Sequence, residues 1–257
     1  MSTAHPLDDD ADLERRFGGL RRLYGEAGYT RVRAARIAVV GLGGVGSWAV
    51  EALARSGVAS LVLIDFDQVA ESNINRQVQA LGSTLGQAKV DALRARVADI
   101  HPGCVVHTIE EFATAQNWPG LLPGPVDGVI DACDQGHAKL ALATWALARS
   151  GELAFVCAGA AGGKQAAQRI EVADLSETTH DPLLASLRQR LRKQGARREG
   201  SIGLRCVFSR ESLSTPAGAC EVDGSLNCHG YGSSVMVTAT FGLVAAGEIL
   251  RQCMARA

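Results

Sequence analysis

Six consecutive residues, Gly41-Leu42-Gly43-Gly44-Val45-Gly46, have the composition of a turn that holds phosphate. In such a turn one glycine permits a sharp reversal, another lets phosphate approach the backbone, and the last lets a helix pack on a strand. The free N–H groups at the helix start then attract an anion. Taken alone the pattern is weak, because glycine-rich turns also occur without ligands. Asp65, 24 residues beyond Gly41, sits where a carboxylate can accept from both ribose hydroxyls; capping the following turn is its structural alternative. To this point a nicotinamide dehydrogenase and an ATP-using enzyme fit equally well.

The next segment, DFDQVAESNINRQ, separates them. Asp67, Asn73, Asn75, Arg76 and Gln77 crowd polar groups into one loop. A dehydrogenase needs only the ribose carboxylate there, whereas a triphosphate needs cationic and amide donors. Arg76 and Lys89, 13 residues apart, can supply the positive charge that steadies a pentavalent phosphorus and a leaving pyrophosphate. Asp131 and Asp134 follow an apolar run and fall at the C-terminal edge of a sheet. A carboxylate there suits Mg²⁺, which keeps several waters and bridges phosphates. Cys228, beside His229, reads either as a nucleophile that takes an acyl group as a thioester or as a loop thiol with no role. Neighbours on an extended segment face opposite ways, so adjacency does not make them a pair. Cys133 and Cys157 lie in apolar runs and read as core thiols. Arg188, Arg190, Arg192, Lys193, Arg197 and Arg198 place six cations in eleven residues. They form either a solvated helix face or a patch that holds a nucleic-acid backbone.

The elements that must position these residues alternate. Residues 36–40, 60–65, 104–109, 127–131 and 153–159 are short apolar runs, and helical spacing follows Gly46 and recurs over 87–102 and 136–150. Strands alternating with helices give right-handed crossovers and a largely parallel sheet covered on both faces, an α/β Rossmann-like fold. After Gly163 the rhythm breaks. Residues 168–175 and 203–209 are expected as added strands, and 181–195 as a helix with Leu183, Leu184, Leu187 and Leu191 on one face. The stretch 214–232 is expected as a long functional loop, and a C-terminal helix as cover for the sheet. Residues 233–250 read as that buried helix rather than a membrane span.

Composition agrees. The chain has 257 residues, 47% hydrophobic, with 26 Lys plus Arg against 27 Asp plus Glu. That excludes disorder, collagen and coiled coil, and also a domain that is basic throughout. Seven scattered cysteines, an odd number, imply reduced thiols in a cytoplasm. The acidic start has no apolar core, so no signal peptide is expected.

Taken together, GLGGVG, Asp65, Asp67, the N-x-x-R-Q of Asn73, Arg76 and Gln77, Lys89, and the D-x-x-D of Asp131 and Asp134 resemble the ubiquitin-activating-enzyme superfamily. Its bacterial members adenylate a carboxylate with MgATP. The resemblance implies ATP binding by Gly41, Gly43, Gly44 and Gly46, ribose contact by Asp65, phosphate contact by Asn73, Arg76 and Lys89, and metal or phosphate control by Asp134. RFGG at 16–19, AGAAGGK at 158–164, HDPLLASLRQRLR and CVFS at 206–209 look most like the tRNA threonylcarbamoyladenosine dehydratase subfamily. This implies a tRNA substrate, for which the cation cluster offers Arg188, Arg192, Lys193, Arg197 and Arg198 as holders, and a homodimer, for which the apolar helices at 136–150 and 235–250 give surface. It also implies an N-terminal helical arm over 1–35 before one adenylating domain over 36–257, with 165–232 on the substrate side. Sulfur-carrier-activating relatives carry two C-x-x-C pairs for zinc; none occurs here, so no structural zinc is expected. Arg16, Arg21 and Arg22 are all candidates for the arginine that reaches a partner subunit's ATP. A monovalent cation beside 203–209 and a cysteine desulfurase or sulfur-acceptor partner are left open. The alternatives are an adenylyltransferase for a small sulfur-carrier protein, a nicotinamide oxidoreductase, and an inactive nucleotide-binding adaptor.

Overall fold

The computed structural model describes residues 12–213 and 231–256. The five expected parallel strands are β1 (Arg36–Val40), β2 (Ser60–Ile64), β3 (Val105–Ile109), β4 (Gly128–Asp131) and β5 (Ala154–Ala158). The two later segments form β6 (Ile170–Asp174) and β7 (Arg205–Ser209). All seven join one sheet in the order β3-β2-β1-β4-β5-β7-β6. Every pair is parallel except β6 with β7, which runs antiparallel from Ile170 opposite Ser209 to Asp174 opposite Arg205.

The helices are α1 (Leu13–Ala34), α2 (Gly46–Arg55), α3 (Lys89–Ile100), α4 (Gly136–Leu147), α5 (Pro182–Lys193) and α6 (Val235–Ala255). Strand side chains alternate across the pleat. Ile37, Val39, Leu61 and Leu63 therefore pack with α2, α3 and α6, while Ala38, Val40, Val62 and Ile64 pack with α4 and α5. Burial on both faces is why the central strands read as unbroken apolar runs. Edge strand β3 is only partly buried.

Local chemistry sets the helix ends. Asp12 caps α1 by accepting from the Arg15 N–H at 3.0 Å. The helical backbone is broken at Gly25, and Phe17, Tyr29 and Val32 are buried on its inner face. Asp181 caps α5, accepting from the Leu184 N–H at 3.0 Å with Pro182 behind it. Leu184, Leu187 and Leu191 are buried as the stripe expects, but Leu183 turns aside and is only half-buried. α6 crosses α2 closely at Gly242, where a Cβ would overlap the Val45 carbonyl oxygen. Among the described residues no helix is long and apolar enough to cross a membrane. Buried Glu248 in α6 instead pairs with Arg205 and Arg251.

From β1 the chain builds β2 and β3 on one side, then returns to place β4 on the other. The C-terminal ends of β1 and β4 flank this switch point, the crevice where open α/β sheets bind ligands.

Candidate active site

A cavity of about 640 Å³ opens at that crevice, within the roughly 300–1,000 Å³ of small-molecule sites. Its wall includes Gly41, Gly43, Gly44, Asp65, Asp67, Asn73, Arg76, Gln77, Lys89 and Asp134, so the topology gathers nearly every residue singled out in the sequence. Gly46 stands just behind the turn, where a Cβ would overlap the Gly41 carbonyl oxygen. α2 starts there with no side-chain cap and no acidic residue in its first turn. Its leading N–H groups suit an anion.

Asp65 is buried at the end of β2. Its Oδ2 accepts from the Leu42 N–H at 2.6 Å and its Oδ1 from the Asp67 N–H at 2.8 Å, which leaves lone pairs on both oxygens. Burial raises its pKa, opposed by the Lys89 charge and these two bonds. Lys89 is also buried, and its Nζ donates to Asp67 Oδ2 at 2.7 Å. It opens α3, where a cation opposes the helix dipole, so the two carboxylates offset an otherwise unfavourable placement. Main-chain bonds fix the intervening loop, with Val69 N–H on Gln87 O at 2.8 Å and Lys89 N–H on Asp67 O at 3.0 Å.

Arg76 differs. Its Nη1 donates to Ser72 O at 2.6 Å and Asn75 Oδ1 at 2.9 Å, both neutral acceptors. Among the described residues it forms no ion pair. Its carbonyl accepts from Trp48 Nε1–H at 3.0 Å and from the Thr238 hydroxyl at 3.4 Å, which holds it beside the glycine turn. Buried Asn73 folds its Oδ1 onto the Ala70 N–H at 3.0 Å, and buried Gln77 accepts from Gln79 at 3.1 Å.

The two aspartates of D-x-x-D part company. Asp134 is half-buried on the cavity wall. Asp131, expected beside it at the ligand-binding edge of the sheet, is wholly buried and pairs with Lys139 Nζ at 2.9 Å, a lysine that is itself fully buried. The last residue of a strand buried on both faces points into the core, whereas Asp134 has left the strand. Burial pulls the Lys139 pKa down, but the Asp131 charge and hydrogen bond, together with Cys157 and Cys133, leave it raised. Cys157 is in the core as expected. Cys133 is half-buried on the cavity wall, and its Sγ donates to Asp131 Oδ1 at 2.9 Å. Burial and Asp131 push that thiol far up, so it is not a thiolate. Cys228 and His229 lie outside the described residues.

A profile of the ThiF family matches residues 16–256. The chain belongs to the ThiF family. It is 40% identical over 247 residues to a tRNA threonylcarbamoyladenosine dehydratase of Haemophilus influenzae, covering 93% of both chains. The structure of the Escherichia coli tRNA N6-threonylcarbamoyladenosine dehydratase in complex with ATP superposes with a TM-score of 0.85 at 40% identity, covering 95% of this chain and 96% of that one. The same enzyme in complex with AMP gives the same TM-score and identity over 95% and 97%.

This ThiF-family cavity also has walls that the sequence did not flag: Glu111, Phe112, Pro182, Leu183, Tyr231 and Thr238. The first two follow β3 at its C-terminal end, where position in the topology could have marked them. Lys139 was missed because nothing in its type or spacing tied it to Asp131 across the strand end.

The basic cluster borders a second groove of about 740 Å³ lined by Arg188, Gln189, Arg192, Lys193 and Arg198, and Pro182 lies on both this groove and the cavity. Arg188 is partly turned inward, its Nη1 bonded to Leu175 O, Thr178 O and Thr178 Oγ1, each at 2.9 Å. Arg192 donates to Arg198 O at 3.0 Å. Arg197 and Arg198 are exposed. Of the N-terminal candidates, Arg16 holds Ile100 O at 2.7 Å and Arg21 pairs with Glu14 and Glu26, while Arg22 is exposed and makes no ion pair among the described residues.

Proposed function

We propose that this chain uses ATP to dehydrate the threonylcarbamoyl group of the adenosine next to the anticodon of tRNA, releasing AMP and pyrophosphate. The observation that carries this reading is one cavity that joins an uncapped helix start, a ribose-type carboxylate and two cations, in a fold shared at 40% identity with an enzyme solved with ATP and with AMP.

In the first step a carboxylate oxygen of the substrate bonds to the α-phosphorus as the bond from that phosphorus to the bridging oxygen breaks. Pyrophosphate leaves with the electron pair. Arg76, with no carboxylate to neutralise it among the described residues, and Lys89 stabilise the charge that builds there. Asp65 accepts from the ribose hydroxyls, and the backbone N–H groups of residues 43–46 face the phosphates. Asn73 and Gln77 close the polar wall. In the second step the carbamoyl nitrogen or oxygen of the same side chain attacks the activated carbon. The acyl–phosphate bond breaks, AMP carries away the carboxylate oxygen, and the attacking group gives its proton to solvent. An intramolecular attack has a large effective molarity, so no strong base is required. Cys228 is kept as a candidate acyl acceptor, tested by whether Cys228→Ala still yields cyclised product.

Mg²⁺ fits the site because Asp134 stands on the wall with no cationic partner among the described residues. Asp134 would hold it, and it would supply charge neutralisation for the leaving pyrophosphate. Lys193, Arg197 and Arg198, with Arg192 in support, hold the tRNA backbone. A homodimer forms through α6, which exposes Met236 and Leu243, whereas α4 exposes no large apolar side chain. Arg22 is then the arginine free to reach the partner subunit's nucleotide. The setting is the cytoplasm, with the thiols reduced.

The test incubates the protein with ATP, Mg²⁺ and tRNA bearing threonylcarbamoyladenosine, then weighs the digested nucleosides. Loss of one water mass with AMP release is expected. An unchanged nucleoside, with ATP binding intact, would transfer the proposal to the carboxylate of a small carrier protein.

A further inference from the structure

Lys164 is held in the way an ion is held. It is 2% exposed, and its Nζ donates to three main-chain carbonyls: His180 at 3.1 Å, Ser209 at 3.1 Å and Glu211 at 3.0 Å. All three protons of the ammonium are thereby satisfied, and no carboxylate among the described residues pairs with it. The carbonyls come from two segments: the residue before the α5 cap, and the end of β7 with its exit. His180 has φ 57 and is the one non-glycine residue with positive φ among those described. Such a conformation persists only where its surroundings over-determine it, and here the carbonyl it presents is part of the cage.

The cage backs the cavity. Residues 159–162 form the wall just before Lys164, Pro182 and Leu183 follow His180, and Leu213 follows Glu211. Two more bonds draw the same segments together: Asp181 Oδ2 accepts from the Ala160 N–H at 2.8 Å, and Glu211 Oε2 accepts from the Ala166 N–H at 2.8 Å. Asp181 and Glu211 lie near enough to favour the charge without touching it, and a ring of main-chain carbonyls in direct contact is the coordination sphere of a weakly hydrated monovalent cation, whose hydration shell the oxygens replace. The sequence left open such an ion beside 203–209. A cation does stand there, and it belongs to the chain.

We propose that Lys164 is a tethered monovalent cation: its ammonium fills a carbonyl cage of the kind that takes potassium or ammonium ions, and so positions the 159–162 wall without an ion from solution. Lys164 is thus a positioning residue. Its melting behaviour is independent of the proposed function, whereas its effect on ATP affinity rests on that reading.

Wild-type protein, Lys164→Ala and Lys164→Met are purified in ammonium chloride. Each is then melted, and its ATP affinity measured, in potassium, ammonium or tetramethylammonium chloride at one ionic strength. Wild type is expected to behave alike in all three. In tetramethylammonium, Lys164→Ala melts lower and binds ATP about tenfold more weakly, as the removal of hydrogen bonds to a charged group predicts. Potassium or ammonium restores most of both. Lys164→Met refills the space without charge and stays impaired in every salt. A Lys164→Ala defect of equal size in all three salts, or a Lys164→Met protein equal to wild type, overturns the proposal. Absent ATP binding in wild type would remove the nucleotide reading, and the melting comparison would still decide the cage.

Discussion

Arg76 and Lys89 are both cations on the cavity wall, but they differ in what neutralises them. Lys89 is already balanced by Asp67 at 2.7 Å, whereas Arg76 rests on neutral oxygens. An incoming phosphate therefore gains most from Arg76, and must compete with Asp67 for Lys89. Arg76→Ala and Lys89→Ala are each expected to slow AMP release about 10²–10³-fold, the usual effect of deleting one such donor, with little change in melting. Asp67 is half-exposed and can rehydrate when its partner is removed. The aspartates provide the contrast. Asp134→Ala should cut AMP release without lowering the melting point. Asp131→Asn should lower stability by about 3–5 kcal/mol, because it strands Lys139 as a buried uncompensated charge. Chromatography of released AMP beside thermal melts separates the two, and an Asp131→Asn protein that melts like wild type would overturn the structural role of Asp131.

The docking of α1 against α3 turns on His101. Its ring meets Phe17 edge-on at 4.8 Å, and its Nε2 accepts from Arg33 Nη1 at 3.1 Å. Burial, with the charges of Arg33 and Arg16, lowers its pKa from 6.5 to about 4. The unfolded chain then takes up a proton below pH 6.5 that the native protein refuses until about pH 4. Stability is full above pH 6.5 and falls across that window, by about 3 kcal/mol. Melting measured from pH 7.5 to 4 should show this slope, and His101→Gln should flatten it; an unaltered slope would place the pH-dependent stability elsewhere. None of this was legible in the sequence, where His101 is one polar residue before Pro102. The strands were legible because burial on both faces leaves unbroken apolar runs, and the α5 stripe because Leu184, Leu187 and Leu191 recur at helical spacing. Leu183 was misplaced because it sits one step of about 100° around the helix from Leu184. The site residues on the glycine turn and the following loop were legible by type and spacing. Asp131 was not, because pleat direction at a strand end decides between core and cavity, and the Lys164 cage was not, because main-chain carbonyls have no signature in the sequence.

Across the whole molecule the formal charge is −1, so any attraction for a polyanion must come from where the cations lie rather than how many there are. Six of them stand on α5 and just beyond it, four lining a groove that meets the nucleotide cavity at Pro182. Three of them, Arg190, Arg192 and Lys193, occupy the last turn of α5, where cations also suit the helix dipole. A backbone lying in the groove could deliver a modified base to the cavity a short distance away. That continuity favours a nucleic-acid track over a merely solvated face. Binding of tRNA should then weaken steeply with salt, because releasing counterions into a concentrated solution gains less free energy. Charge reversal at Lys193, Arg197 and Arg198 should reduce tRNA affinity, flatten the slope of log K against log salt by about one for each phosphate no longer held, and leave ATP affinity unchanged. Arg188→Ala should behave differently, lowering the melting point first, because Arg188 Nη1 ties α5 to the Leu175 and Thr178 carbonyls. Filter binding across a salt titration reads the first effect and thermal melting the second. An unchanged slope in the triple variant would make the cluster a solvated helix face, and would require the tRNA to approach the cavity from another side.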